Sequence, residues 1–186
     1  PSYFDSALGG LGASPISSLG AGHAKVEAGE PVIVDIVHLH RGYVSDCTRM
    51  FSAGSLSDEW MQRLSDMAEI RDSVVESLGR GDYCSEAWEI GHKKAGEMGY
   101  SEHLMGMPPE QAVFLGHSVG LELDETPVVA KAFDRELPIG GTMAIEPKVL
   151  YQEGAIGTED TYTRTSEGME CLTMGDSWDL MTEWNE

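Results

Sequence analysis

The chain has 186 residues, a length that suits one domain with a sizeable hydrophobic core. Aspartate and glutamate number 32 against 12 lysines and arginines, and the resulting formal net charge of −20 argues against nucleic acid and anionic membranes as partners. Cys47, Cys84 and Cys171 form no CxxC pair, and no apolar run approaches the length of about 20 residues that spans a bilayer, so we expect reduced thiols in a cytoplasmic protein.

The first predicted element is a β-hairpin formed by two β-rich runs, Pro31–Val37 and Tyr43–Phe51. If its turn is centred between residues 40 and 41, Asp35 lies directly opposite Asp46. Directly opposed like charges destabilise a sheet, so this register predicts a bound cation. Alternatively, one carboxyl group is protonated, or the register differs and the two do not meet.

Two helices are predicted to follow the hairpin. Ser57 can cap the first helix, which is expected to run to about Leu78 and to end at Gly79. The second is expected to start at Ser85 and to reach about Met98. Their large apolar side chains are assigned to the core.

A second predicted hairpin, within Leu137–Thr163, carries another pair of acidic residues. A turn centred between residues 152 and 153 places Glu146 opposite Glu159. Four carboxylates that converge in a buried environment cannot all remain ionised without cations. The two hairpins together therefore predict a site for divalent metal ions.

His117 is the remaining candidate ligand, in a strand predicted over residues 112–123. Gly116 and Gly120 flank it and would allow its backbone to approach another element closely. A structural or solvent-exposed histidine is the alternative interpretation. Four carboxylates and one imidazole form a set dominated by oxygen, which suits Mn, Co, Fe or Zn in a two-metal site.

Four motifs in chain order carry a resemblance to a known family. They are Asp35 with the run Gly42-Tyr43-x-Ser45-Asp46-x-Thr48-Arg49-x-Phe51, then Gly116-His117-x-x-Gly120-Leu121, then Ile145-Glu146-Pro147, and last Glu159-Asp160 before Glu167-Gly168-x-Glu170-x-Leu172-Thr173. The chain resembles the pita-bread metallopeptidases, which include methionine aminopeptidases, proline dipeptidases and Xaa-Pro aminopeptidases. The proline-peptidase branch is nearer, because Ser45-Asp46-x-Thr48-Arg49 and Leu121-x-x-x-Glu125-x-Pro127 look like its motifs.

The resemblance implies an α+β pita-bread (creatinase/aminopeptidase-like) fold, with a curved, mostly antiparallel sheet, helices on its outer face and two pseudo-symmetric halves. It also implies a dinuclear hydrolase that acts on short peptides through a hydroxide bridging two divalent ions. By that resemblance Asp35 binds one ion, His117 and Glu146 bind the other, and Asp46 and Glu159 bridge the two. Glu146 would also be the catalytic proton shuttle. A homodimer is a further expectation.

The sequence departs from the family at the two histidines expected to contact substrate. Ser18 stands 17 residues before Asp35 and Asp124 stands seven residues after His117, where those histidines are expected. Two further departures are Gly157, where the family has an arginine, and Val37, where it has a glycine. The activity is therefore expected to be altered. The alternatives are a pseudoenzyme or binding protein, with or without metal, and a non-peptidase enzyme of the lyase type.

Residues 1–186 are expected to form a single catalytic-type domain. Compared with proline peptidases, the chain is expected to be a fragment that lacks the N-terminal domain and the first helices of the pita-bread unit.

Overall fold

The structure, a computed structural model, describes residues 11–173 and 181–184. Within these ranges the chain forms strands and two helices in the following order: β1 Leu11–Ser14, β2 Ser17–Leu19, β3 Val32–His40, β4 Tyr43–Ala53, α1 Asp58–Arg80, α2 Cys84–Glu97, β5 Phe114–Ser118, β6 Glu125–Ala130, β7 Thr142–Ile145, β8 Lys148–Tyr151, β9 Gly154–Gly157, β10 Asp160–Thr165, β11 Gly168–Cys171 and β12 Met181–Trp184. The predicted α+β class, with mostly antiparallel strands, is confirmed.

The strands form one larger sheet and three smaller ones. The larger sheet has the order β11-β10-β7-β5-β6, and all of its neighbouring strands are antiparallel. A second sheet has the order β12-β4-β3, in which β12 runs parallel to β4. The backbone N–H of Thr48 on β4 donates to the carbonyl of Glu159 at 3.1 Å, next to the start of β10. This bond joins the two predicted acidic segments.

Both helices begin close to the predicted positions, and α1 packs on the core. The Ser57 hydroxyl accepts the N–H of Trp60 at 3.3 Å and caps α1 as predicted, but α1 ends at Gly81 rather than at Gly79. Gly81 has φ +94°, a left-handed conformation that favours glycine at a helix end. The inward face of α1 is formed by Leu64, Met67, Ile70, Val74 and Leu78. In the part of the chain that is described, neither helix combines the length and apolar character of a membrane span.

Helix α2 approaches the core closely at Gly91, which leaves no space for a side chain there. A Cβ atom at this position would lie 2.6 Å from Leu115 Cδ1 and 2.9 Å from Val74 Cγ2. We therefore expect Gly91→Ala to lower the free energy of unfolding by about 1–3 kcal/mol through overpacking, measured by urea denaturation. Gly96→Ala in the same helix is the control. Its Cβ would meet only Ser101 Oγ at 3.4 Å, so the helix-propensity gain of about 0.5–1 kcal/mol should dominate. Equal effects of the two substitutions would contradict the packing argument.

The predicted register of the first hairpin is wrong by two residues. In the β3–β4 ladder Asp35 lies opposite Thr48, and Asp46 lies opposite Val37. The turn is Arg41–Gly42, and both residues have positive φ, 52° and 89°, as a tight two-residue hairpin turn requires. Because side chains alternate with a period of two, the shift keeps both carboxylates on the same face. They are diagonal neighbours instead of a directly opposed pair.

The predicted turn of the second hairpin is confirmed, since Lys148 pairs with Gly157 and Val149 with Ile156 across β8 and β9. The two glutamates, however, lie just outside this ladder. The N–H of Glu146 donates to the carbonyl of Leu115 at 2.9 Å, so Glu146 is aligned with β5.

Candidate metal centre

The five predicted ligands come from five different positions in the sheets. Asp35 lies on β3, Asp46 on β4 and His117 on β5, whereas Glu146 directly follows β7 and Glu159 directly precedes β10. All but Asp35 are buried. One ligand atom each from Asp46, His117 and Glu159 lies within 4.8 Å of the other two. Three strands and two strand ends therefore bring residues together that are more than 120 positions apart in the sequence.

The donor atoms of this cluster suit a divalent cation. His117 Nε2 lies 3.4 Å from Glu146 Oε1 and 3.9 Å from Asp46 Oδ2. Asp46 Oδ1 is buried and has no hydrogen-bond partner among the described residues. A buried carboxylate oxygen without a partner is costly, and a cation held between these groups would supply one. Carboxylates and an imidazole could hold Mn, Co, Fe or Zn here.

Lys148 also enters the cluster, and sequence reasoning missed it. Its Nζ donates to Glu146 Oε2 at 2.8 Å and to Glu159 Oε2 at 2.9 Å, and it reaches Asp35 Oδ2 at 3.5 Å. The residue is 1% exposed. One signal in the sequence could have identified it: a lysine in a strand that is otherwise apolar, two residues after a predicted ligand.

Burial and charge shift the pKa values of the acidic groups in opposite directions. Burial, together with the charge of Asp35, raises the pKa of Asp46 to about 7. Burial and the charge of Glu146 raise the pKa of Glu159 to about 8. Burial would also raise the pKa of Glu146, but Lys148 and His117 outweigh it and lower this pKa to about 2. The positive charge near Asp46 and Glu159 is therefore too small to offset burial and keep their pKa values in the usual range.

The two basic groups respond to the same carboxylates. Burial alone would lower the pKa of His117, but its contact with Glu146 outweighs burial and raises it to about 9. Burial likewise opposes the charged form of Lys148, and the charges of Glu146 and Glu159 outweigh it and raise the lysine pKa well above its usual range. The Lys148 side chain is therefore an ammonium ion at neutral pH.

A second layer of polar contacts holds Glu159 and its strand in place. The Thr48 hydroxyl donates to Glu159 Oε2 at 2.8 Å, and Arg49 donates to the Glu159 carbonyl at 3.0 Å. Arg49 also pairs with the fully buried Asp160 at 2.7 Å, and Arg71 on α1 reaches the other oxygen of Asp160 at 3.2 Å. Groups that orient a ligand in this way tune a metal site from outside the ligand set.

Of the two positions predicted to contact substrate, the structure describes the side chain of Asp124 but not that of Ser18. Asp124 lies in the loop between β5 and β6 with a side chain that is 49% exposed, and its Oδ1 lies 3.5 Å from His117 Nδ1. It is therefore at the rim of the cluster. Ser18 lies on β2, but its side chain is outside the described part of the structure. The predicted role of Ser18 stays a prediction.

Comparisons with known proteins identify similar sequences. The model of metallopeptidase family M24 matches residues 3–166. An Xaa-Pro dipeptidase from Pyrococcus horikoshii is 30% identical over 154 residues, which cover 82% of this chain and 42% of that protein. An Xaa-Pro dipeptidase from Lactobacillus delbrueckii subsp. lactis is 27% identical over 150 residues, 80% of this chain and 39% of that protein. The chain thus spans less than half the length of these relatives.

Solved structures show the same relationship. An X-Pro aminopeptidase from Thermotoga maritima has a TM-score of 0.78 at 24% identity, and the match covers 92% of this chain and 46% of that one. The prolidase from Pyrococcus horikoshii has a TM-score of 0.74 at 28% identity, covering 93% and 48%. The predicted pita-bread fold and the resemblance to the proline-peptidase branch are confirmed.

Proposed function

Because the chain belongs to metallopeptidase family M24, we propose that it is the catalytic part of a metal-dependent hydrolase that cleaves short peptides, with Xaa-Pro bonds as the first substrate class. The observation that carries the proposal is the convergence of Asp46, His117 and Glu159, together with the buried and unpartnered Asp46 Oδ1. The metal identity (Mn, Co, Fe or Zn) and the dinuclear count remain predictions.

The proposed chemistry is hydrolysis of an amide bond. A bound divalent ion would supply Lewis acidity and lower the pKa of water. Glu146 is the proposed proton acceptor, the role that the family resemblance implies for it. Lys148 holds Glu146 Oε2, and this leaves Oε1 on the side of His117. Asp124, at the rim beside His117, is proposed to face the substrate.

The test measures metal content and peptide hydrolysis on the same preparations. After loading with Mn²⁺ or Co²⁺, we expect bound metal and hydrolysis of Xaa-Pro dipeptides that exceeds hydrolysis of matched Xaa-Ala dipeptides. Asp46→Ala should lose the metal and reduce hydrolysis to the level of the metal-free chain. Glu153→Gln, at the exposed turn between β8 and β9, is the control and should change neither quantity. Absence of bound metal after loading would overturn the proposal.

The substitution Asp124→His tests the proposed substrate side of the cluster. An aspartate cannot stabilise a developing oxyanion, whereas a histidine can donate a hydrogen bond to it. Since one such donor is typically worth about 10²–10³ in rate, we expect kcat/KM to rise by about 10²-fold in the metal-loaded protein. Glu122→His, in the same exposed loop, is the control and should leave kcat/KM unchanged. A similar rise in both variants would show that the effect does not depend on position 124.

A non-catalytic binding protein is the second candidate, and Lys148 is the observation that favours it. A buried ammonium that already bonds two carboxylates stabilises the cluster without any ion. The departures at Ser18 and Asp124 point the same way. For this candidate we expect no hydrolysis of any dipeptide, and no rescue by Asp124→His, even when metal is bound.

A further inference from the structure

Lys148 occupies a place in the cluster where a cation is needed. Its Nζ contacts Glu146 at 2.8 Å, Glu159 at 2.9 Å and Asp35 at 3.5 Å. These residues are three of the five predicted metal ligands. The ammonium is thus in contact with carboxylate oxygen atoms, the groups that would also bind a divalent ion.

The other predicted ligands, together with Glu159, form one group of donor atoms. Asp46 and His117 do not contact Lys148 in the structure, and together with Glu159 they form the group whose ligand atoms lie within 4.8 Å of one another. Glu159 is shared, since its Oε2 also accepts a hydrogen bond from Lys148 Nζ. We propose that the Lys148 ammonium permanently replaces one of the two cations of the centre, so that the chain binds a single divalent ion, held by Asp46, His117 and Glu159.

The charges of the cluster agree with one ion. The four predicted carboxylate ligands carry four negative charges, and Lys148 offsets one of them. A single divalent ion offsets two more, and the remaining charge can stay on Asp35, whose side chain is 29% exposed to solvent. The ion that the resemblance assigns to Asp35 and to the bridging Glu159 would have to share Asp35 Oδ2 and Glu159 Oε2 with the ammonium. Like charges at such distances repel strongly in a buried site.

Lys148 starts from a position where two strands approach each other closely. Lys148 lies directly opposite Gly157 in the β8–β9 ladder, and a Cβ atom on Gly157 would lie 2.5 Å from Lys148 Cγ. The same Cβ would lie 2.6 Å from Lys148 Cα and 2.6 Å from the carbonyl oxygen of Pro147, so the close approach of the two backbones requires a glycine here whatever side chain stands at position 148. Position 157 is also where the family resemblance implies an arginine, so this chain has no cationic side chain there and carries Lys148 on the opposite strand.

The inference rests on the proposed function only in treating the cluster as a metal centre, and its test counts ions. The metal-free chain is titrated with Mn²⁺, and bound metal is measured by elemental analysis. Electron paramagnetic resonance then distinguishes an isolated Mn²⁺ ion from an exchange-coupled pair. We expect about one equivalent and an uncoupled spectrum for the wild-type chain, and about two equivalents with a coupled spectrum for Lys148→Met.

Controls and outcomes separate this inference from the proposed function. Lys93→Met removes a lysine that is 78% exposed and should still bind one ion. Two equivalents in the wild-type chain would overturn the inference and leave a metal-dependent function standing, as would one equivalent in Lys148→Met. No bound ion in either protein would overturn both. If Lys148→Met does not fold, the wild-type stoichiometry and spectrum decide alone.

Discussion

Replacing Lys148 with methionine is expected to lower the free energy of unfolding of the metal-free protein by about 3–5 kcal/mol, the usual cost of removing one partner of a buried ion pair. Methionine keeps most of the apolar stem, so the loss reports on the charge. Glu146, 7% exposed, and Glu159, 1% exposed, would remain buried without their shared cation. Urea denaturation in the presence of EDTA measures the effect.

The same variant should recover stability when Mn²⁺ is added, because an ion that binds only the folded state stabilises it. We expect the recovery to be larger than in the wild-type chain, where Lys148 already offsets part of the charge. Lys93→Met, which removes a lysine paired with Glu97 at 3.9 Å on the surface of α2, is the matched control. Its effect should stay below about 1 kcal/mol. Equal losses in the two variants would contradict a structural role for the buried ammonium.

Replacing Asp160 with asparagine is expected to cost about 3–5 kcal/mol as well, because two buried arginines lose the carboxylate that faces both. Asp160 is 0% exposed and pairs with Arg49 at 2.7 Å and with Arg71 at 3.2 Å. Its Oδ1 also accepts a hydrogen bond from the Thr173 hydroxyl at 2.8 Å. Asparagine preserves the shape but not the charge, so urea denaturation measures the contribution of charge.

Asp72→Asn is the matched control for this prediction. Asp72 also pairs with Arg71, at 2.8 Å, but its side chain is 65% exposed, so its loss should cost less than about 1 kcal/mol. Because Arg49 also holds the carbonyl of Glu159, we further expect Asp160→Asn to weaken Mn²⁺ binding and Asp72→Asn to leave it unchanged. Equal stability losses in both variants would show that burial of the pair is not the source of the effect.

The two acidic hairpins show how far sequence reasoning reaches. Period-two alternation placed Asp35 and Asp46 on one face, and this holds even though the register is shifted by two residues. The error came from the turn. A tight hairpin with positive φ at Arg41 and Gly42 has its centre one residue later than the centre assumed between residues 40 and 41. Alternation depends on parity alone, whereas register depends on turn geometry.

By itself, the sequence determined the fold class, the family resemblance and the five acidic and histidine residues that gather in one cluster, because strand periodicity and motif order are local properties of the chain. Only the tertiary structure showed which positively charged side chains contact the acidic residues of this region. The flexible side chain of Lys148 can extend from β8 toward any of several neighbours, and Asp160 meets Arg71 only when α1 packs on the sheet. Such contacts depend on where elements distant in sequence are packed and on the cost of burying a charge without a partner.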